Sequence, residues 1–599
     1  MKGKIVWMFL SCLMVAALVL ASCGPAAVEE EEGKTITGKV VEKEAPKEKE
    51  KEEVVVTPKK EGPFYGGTIT ICRGAAIVAF DEGFGFPWVT QGLSYTNEEL
   101  FGGDWGQGLS GSGDCSWQSY GFSGLTCHTP RLCESWELIE PSTLVYHIRK
   151  GVHWHNKPPV NGRELDAHDV VYTMERGLRL PRSYLNITMT QAERPTSIEA
   201  TDKWTVRVVC AEGKAGKWLE QSGELMVIIP PEVDEEWGDM NDWKHVIGTG
   251  PFTIIDYVPM SALTLERNPN YWMNDPVHPE NRLPYVDYVK LHIIEDASTR
   301  IAALRTAKLD TLRLGYDDAE DVMATTTDLV WSEVANTAPS LVFMNLEKEP
   351  WSDIRVRRAL QIGVDQKEIS DSFYSGHSEW YSFPILPMAE HSDMWISLEE
   401  MPESVQELFG YDPDKAKALL AEAGYPNGFK ATVVCYQAYV DMLSIFKDYW
   451  SKIGVELELD VKEYTVWNSQ IASKSYDDMI VRGLSGSSTS HKLYTYRGGR
   501  EGPVENLSFI DCPRCDETYT KMLDNYFQPE VRRGLFKELV PYILDQVWMI
   551  QMPTAHLFTG WWPWLKGYSG EIVVGYYDID NWPAYCWVDQ DLKAEMQGK

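Results

Sequence analysis

Strand patterns and helix patterns alternate along most of this chain, which predicts an α/β or mixed α/β protein. At 599 residues it is too long for a single hydrophobic core, so two or more domains are expected. No segment repeats at a period of roughly 20–50 residues, which argues against a solenoid or propeller.

Met1–Ser22 reads as an export signal. Lys2 and Lys4 form its charged start, and Ile5 to Leu20 form an apolar run too short for a membrane span. Leu20-Ala21-Ser22-Cys23 resembles a bacterial lipobox, which implies cleavage before Cys23 and a diacylglyceryl group on its sulfur. Such a chain is anchored to a membrane rather than spanning it. Gly24 to Gly62 is dominated by Glu and Lys and has no aromatic residue. It cannot bury a core and reads as a disordered tether, reaching a few tens of Å at roughly 5–6 Å × √n.

The formal net charge is −33, and the 8 Lys and 11 Glu of the tether barely alter it. That balance argues against nucleic acid and anionic membrane as partners. Of 11 Cys, Cys12 and Cys23 precede the folded body. Cys115, Cys127 and Cys133 share one Gly/Ser-rich segment in which a bridge is expected. Cys512-Pro-Arg-Cys515 is a lone CxxC, read as a local disulfide or two free thiols, because no second pair completes a zinc site.

The body opens with the strand Gly66 to Cys72. GFGFPWVT, residues 83–90, reads as an exposed aromatic loop, and Gly102 to Gly124 as a long irregular excursion. Leu144, Tyr146 and Ile148 alternate with Val145, His147 and Arg149, giving a strand extended through His155. Pro158, Pro159, Asn161 and Gly162 make a loop, and Asp166 caps a helix. Ile198 to Cys210 reads as a hairpin turning at Thr201-Asp202-Lys203. PFTIIDYV and ALTLERN are two further strands, YVDYVKLHIIE another, and Asp296 caps the next helix. A second α/β block follows. It comprises the strand LVFMNLE, the helix SDIRVRRALQIGV, and a helix capped by Asp412-Pro413 and closed at Gly424. The strand ATVVCYQ, the helix MLSIFKDYWSKIG, the strand VELELDVKEY and a helix over Val531 to Trp548 complete it.

In this order the motifs resemble the family 5 extracellular solute-binding proteins, the peptide, nickel and oligosaccharide receptors of ABC importers. The resemblance rests on CESWELIEPSTLVYHIRKGVHWHN with LDAHDVVYT, on GTGPFTIIDYVPMSALTLERNPNYW with LPYVDYVKLHII, and on WSDIRVRRALQIGVDQKEI. YDPDKAKALLAEAGYPNGF, KIGVELEL, SYDDM and RRGLFKELVPYIL follow in the family's sequence. It implies a two-lobed, periplasmic-binding-protein-like α/β fold of type 2 with an extra subdomain, closing at a hinge around its ligand. The implied segments are a first lobe over 63–310 with the extra subdomain at about 100–195, a second lobe over 311–553, and a return to the first over 554–599.

The resemblance also implies where ligand is touched. Phe84, Phe86 and Trp88 stand where the family carries a ligand-facing segment of the first lobe. Tyr464 stands where peptide receptors place an aromatic, and Arg482, Gly483, Leu484 and Ser485 follow the SYDD strand of the second lobe. Peptide receptors continue that strand with Trp and an Asp that binds the ligand's α-ammonium. Gly483 to Thr489, GLSGSST, has neither, so the ligand is a peptide held differently, an oligosaccharide, a nickel chelate or another polar solute. Arg482, Arg497 and Arg500 are candidates for an anionic ligand group.

The expected function is an extracytoplasmic, lipid-anchored monomeric receptor that hands an oligopeptide to an ABC permease and ATPase, with no catalysis and no cofactor. The rival classes are a secreted glycosidase and a surface sensor. No G-x-S-x-G, H-E-x-x-H or phosphate loop supports an enzyme. His147, His153, His155 and His168 suggest a metal site, but in the resemblance positions 147, 153 and 168 fall where the scaffold motif carries ordinary polar residues, so no metal ligand is assigned.

Overall fold

The computed structural model describes residues 62–84, 90, 92–119, 127–223, 225–386, 394–484, 493–575 and 579–598. The signal segment, Cys23 and the tether through residue 61 lie outside them, as do Phe86, Trp88 and Ser485.

Four sheets carry the architecture. In the first, Thr68–Arg73 runs parallel to Tyr288–Ile293, which continues antiparallel through Ala262–Arg267 to Phe252–Val258. Ile69, Ile71, Leu263, Leu265, Val289 and Leu291 are buried at every second position, so the alternation read from sequence is the sheet's inner face. The second sheet is antiparallel, in the order Cys133–Glu140, Thr143–Ile148, Thr205–Val209, Ser197–Asp202. The helix Ala167–Arg179 packs on it, and Asp166 and Asp169 form a capping box at its start. The strand expected to reach His155 stops at Ile148, because Gly151 turns the chain at φ +76°.

The third sheet was not expected from the sequence. Leu557–Trp561 lies at its centre, antiparallel to both Thr311–Gly315 and Val330–Val334. The fourth has the order Val455–Lys462, Phe429–Tyr436, Met479–Gly483, Ser340–Met344, Met549–Gln551. Its strands send alternate residues into two separate cores. Leu341, Phe343 and Ile480 enter one, and Val342, Met344, Met479 and Val481 enter the other. A third core gathers Ile69 to Leu329 with Tyr526 and the tail from Phe558 to Val588.

The chain therefore forms two lobes. It passes from one to the other over residues 335–339, between strands of the third and fourth sheets, and returns over 552–556. Buried Asp310 fastens the return. Its carboxylate accepts the Thr70 N–H at 2.6 Å and the Trp564 indole N–H at 2.6 Å, and pairs with Lys593 Nζ at 2.6 Å.

The segment expected to be irregular is partly built. Phe101–Gly103 pairs with His128–Pro130, Trp105 stacks on Tyr585 at 4.7 Å, and Cys115 bridges Cys127 while Cys133 stays free and buried. Cys512 and Cys515 are also bridged. No helix among the described residues is long and apolar enough to cross a membrane.

Candidate functional site

On the first-lobe side, a cavity of about 400 Å³ opens where the strand Thr68–Arg73 ends. Ile71, Ile77, Leu312, Ile572 and Trp582 form its apolar lining, and Arg73, Arg313 and Asp580 its charged lining. Arg73 donates from Nε and Nη2 to Asp580 Oδ2 at 2.9 and 2.7 Å, joining the first strand to the C-terminal return. Beneath the rim, Glu571 is buried and accepts the Ser569 N–H at 2.6 Å, and burial pushes its carboxyl up to about 7. Cys72, at the edge, is pushed up to about 11 by burial, so it stays a thiol at neutral pH.

On the second-lobe side stands an aromatic group. Tyr436 meets Tyr439 at 5.1 Å, Tyr464 at 5.3 Å and Trp467 at 4.6 Å between ring centroids. Tyr464 and Trp467 share one face of the helix Tyr464–Ser473 by their i, i+3 spacing. Trp467 is buried and donates its indole N–H to the Val481 carbonyl at 3.0 Å, whereas Tyr464 is 57% exposed. The Tyr439 hydroxyl accepts the Gly483 N–H at 2.9 Å, and burial pushes this phenol up to about 12. Arg482, beside them, donates from Nε to the Gly483 carbonyl at 3.1 Å, and burial holds its pKa below the usual guanidinium range. Leu484 is buried, with its N–H on the Pro339 carbonyl at 2.9 Å.

The first crossing touches the second-lobe surface on one side and the segment that carries Ser119 on the other. Ser119 Oγ donates to the Ala335 carbonyl at 3.0 Å, and Gln118 reaches the Ser569 carbonyl. On the other side, Pro339 holds Leu484, and a Cβ on Gly483 would stand 3.5 Å from the Ala338 carbonyl.

The structure thus brings Tyr464, Arg482, Gly483 and Leu484 together. Phe84, 39% exposed, sits apart: its N–H bonds the Asp81 carbonyl, and buried Asp81 grips Arg176 of the helix Ala167–Arg179 at 2.7 and 2.8 Å. Phe84 does not line the cavity and makes no described contact with the aromatic group. Arg497 is occupied by Asp516 and lies over the Tyr519 ring, and Arg500 pairs with Glu347 at 2.8 Å over Phe509, so neither belongs to this site.

Sequence reasoning passed over Tyr436, Tyr439, Trp467 and the Thr311–Arg313 edge. The pair at 464 and 467 was legible as a helical spacing, whereas the others meet only through sheet pairing. The four histidines of the 147–168 stretch disperse. His147 meets Glu137, His153 the Gly162 carbonyl, and His168 Asp166. Buried His155 is held between Gly248 and Gly250, and burial lowers its pKa to about 4. A different trio, Glu333, His377 and His556, converges beside the crossings.

The model for bacterial extracellular solute-binding proteins, family 5, middle, matches residues 128–504. Heme-binding protein A of Haemophilus influenzae is 29% identical over 360 residues, 56% of this chain and 62% of that one. The match therefore spans less than two thirds of that relative. The dipeptide-binding protein of Escherichia coli strain K12 is 27% identical over 449 residues, 68% of this chain and 79% of that one. Among solved structures, DppA from Helicobacter pylori in complex with the peptide STSA superposes with a TM-score of 0.67 at 20% identity, covering 88% of this chain and 99% of that one.

Proposed function

The chain belongs to the bacterial extracellular solute-binding proteins of family 5, and on that premise we propose that it captures a short peptide between its lobes for an ABC importer. The observation that carries this reading is the pair of surfaces, one on each lobe. One is a 400 Å³ cavity with paired charges, and the other an aromatic group with an exposed Tyr464. A peptide offers partners for both: apolar side chains for the exposed face of Tyr464 and polar groups for the charged lining of the cavity. Tyr464, Arg482, Gly483, Leu484 and Ser485 are the proposed contacts from one lobe, and Phe86 and Trp88 those from the other, whereas Phe84 stands apart from the cavity. Its relatives include a dipeptide-binding protein and a peptide-bound structure, which supports this ligand class.

The lobes move about the crossings at 335–339 and 552–556, closing over the ligand. We take the first lobe to run from residue 62 to 334 and to resume at 557, a reading supported by the core that Leu312, Leu314 and Leu329 share with Ile69. The antiparallel sheet of Cys133–Glu140 to Thr205–Val209 forms the extra subdomain. The protein acts by binding, without turnover, as a monomer held outside the cytoplasm by lipid on Cys23, with residues 1–22 removed and the tether as spacer.

Calorimetric titration with di- to pentapeptides tests this, paired with small-angle scattering. The expected result is one peptide per chain with a negative heat-capacity change and a more compact particle when bound. Saturable binding of an oligosaccharide with no response to peptides would replace the ligand class. Hydrolysis of bound ligand would overturn the binding-only role.

A further inference from the structure

Glu333 lies near the end of the strand Val330–Val334, just before the first crossing, and His556 lies at the end of the second. His377 precedes the short strand Ser378–Glu379, which pairs with Thr554–Ala555. The His556 N–H bonds the His377 carbonyl at 2.9 Å, fixing the two histidines side by side. Both rings aim the same kind of nitrogen at one atom: Nδ1 of His377 lies 2.7 Å and Nδ1 of His556 2.6 Å from Glu333 Oε1. The three donor groups lie within 4.8 Å of one another.

An ordinary surface ion pair uses one imidazole and one carboxylate. Here the rings are also oriented from behind. His556 Nε2 meets Glu379 Oε1 at 3.2 Å, and the His377 ring stacks on Tyr316 at 5.2 Å and meets the Phe558 ring at 5.6 Å. A histidine with one ring nitrogen directed into a cluster and the other on a carboxylate is the arrangement that supports a metal-bound imidazole.

We propose that Glu333, His377 and His556 bind a divalent transition-metal ion, with Glu379 positioning His556. Two imidazole nitrogens and one carboxylate oxygen suit Zn²⁺ and disfavour Ca²⁺ and Mg²⁺, which take oxygen ligands. Zinc bonds of about 2.0–2.2 Å in a tetrahedron set donor atoms about 3.3 Å apart, slightly wider than the 2.7 and 2.6 Å from Glu333 Oε1 to the two nitrogens and within reach of side-chain rotation. Coordination at Nδ1 places the ring proton on Nε2, where Glu379 accepts it from His556. The three side chains remain between 17% and 41% exposed, leaving a path for the ion and a fourth position for water. The trio joins residues at both crossings to the loop carrying His377, so an ion there ties the hinge strands together.

The test is calorimetric titration of the chelator-stripped full chain with Zn²⁺ alone. One ion per chain is expected, with Co²⁺ giving the visible absorption of a tetrahedral site. Glu333→Gln, His377→Gln and His556→Gln each weaken Zn²⁺ binding by about a hundredfold, and Glu379→Gln by about tenfold. His147→Gln, which removes a lone His–Glu pair on the second sheet, leaves it unchanged. Thermal melts without metal report whether each variant folds, and half-exposed His377 carries the test should His556→Gln fail to fold. Absence of saturable one-to-one binding, or wild-type affinity retained in Glu333→Gln and His377→Gln, overturns the proposal whatever ligand the cleft takes.

Discussion

The Gly483 backbone N–H donates to the Tyr439 hydroxyl at 2.9 Å, tying the end of a strand of the fourth sheet to the aromatic group beside the first crossing. Tyr439→Phe keeps the ring and removes this one bond. It is expected to lower stability by about 1 kcal/mol and to weaken peptide capture severalfold, because the Gly483–Leu484 edge loses its anchor. Chemical denaturation and calorimetry read the two effects separately.

Tyr464 and Trp467 share a helix face yet have opposite surroundings, and their alanine variants should diverge. Trp467 is buried, with its indole N–H satisfied by Val481, so Trp467→Ala is expected to cost about 3–5 kcal/mol of folding stability. Tyr464 is exposed, so Tyr464→Ala is expected to leave the melting temperature nearly unchanged while peptide affinity falls about tenfold.

Asp310 joins Thr70, Trp564 and Lys593 from three distant parts of the chain. Asp310→Asn leaves the Lys593 ammonium without its counter-charge and is expected to cost about 3–5 kcal/mol in denaturant titrations. The loss should exceed that of any exposed ion pair in the molecule, for example Lys367–Asp371.

Glu571 gives a pH dependence with a defined sign. Its folded-state pKa is raised to about 7 from 4.5, so its stabilising protonated form is complete below about 4.5 and lost as pH rises through 7. Glu571→Gln removes the titration. The variant is expected to gain stability over wild type across that window and to hold a gain of roughly 3 kcal/mol above it. A difference that stays constant from pH 4 to 8 contradicts the burial-driven shift. Taking the difference cancels the opposing contribution of His155, whose lowered pKa removes stability as pH falls from 6.5 toward 4.

Elements whose partners lie close in sequence were legible. The Asp166 cap, the Phe252–Val258 and Ala262–Arg267 hairpin and the Asp412-Pro413 helix start each need only local chemistry. The third sheet was not, because Thr311–Gly315 and Val330–Val334 pair with a strand more than 220 residues later. The same distance hides the Glu333, His377 and His556 trio, whose members approach only because the second crossing returns beside the first. Tyr464 stands out by family order, but Tyr436 and Tyr439 carry no local signal, because only the fold sets them around Trp467. The histidines of residues 147–168 showed the reverse: close in sequence, they face different partners, because the strand ends at Ile148 and each then answers to a different neighbour.

Native mass spectrometry of the protein purified without denaturation tests the central claim most directly. One retained peptide per chain is expected, released by mild unfolding and no longer retained when Tyr464 and Tyr439 are both replaced by alanine. A retained sugar or metal chelate with no peptide, or peptide retention unaffected by those replacements, contradicts it.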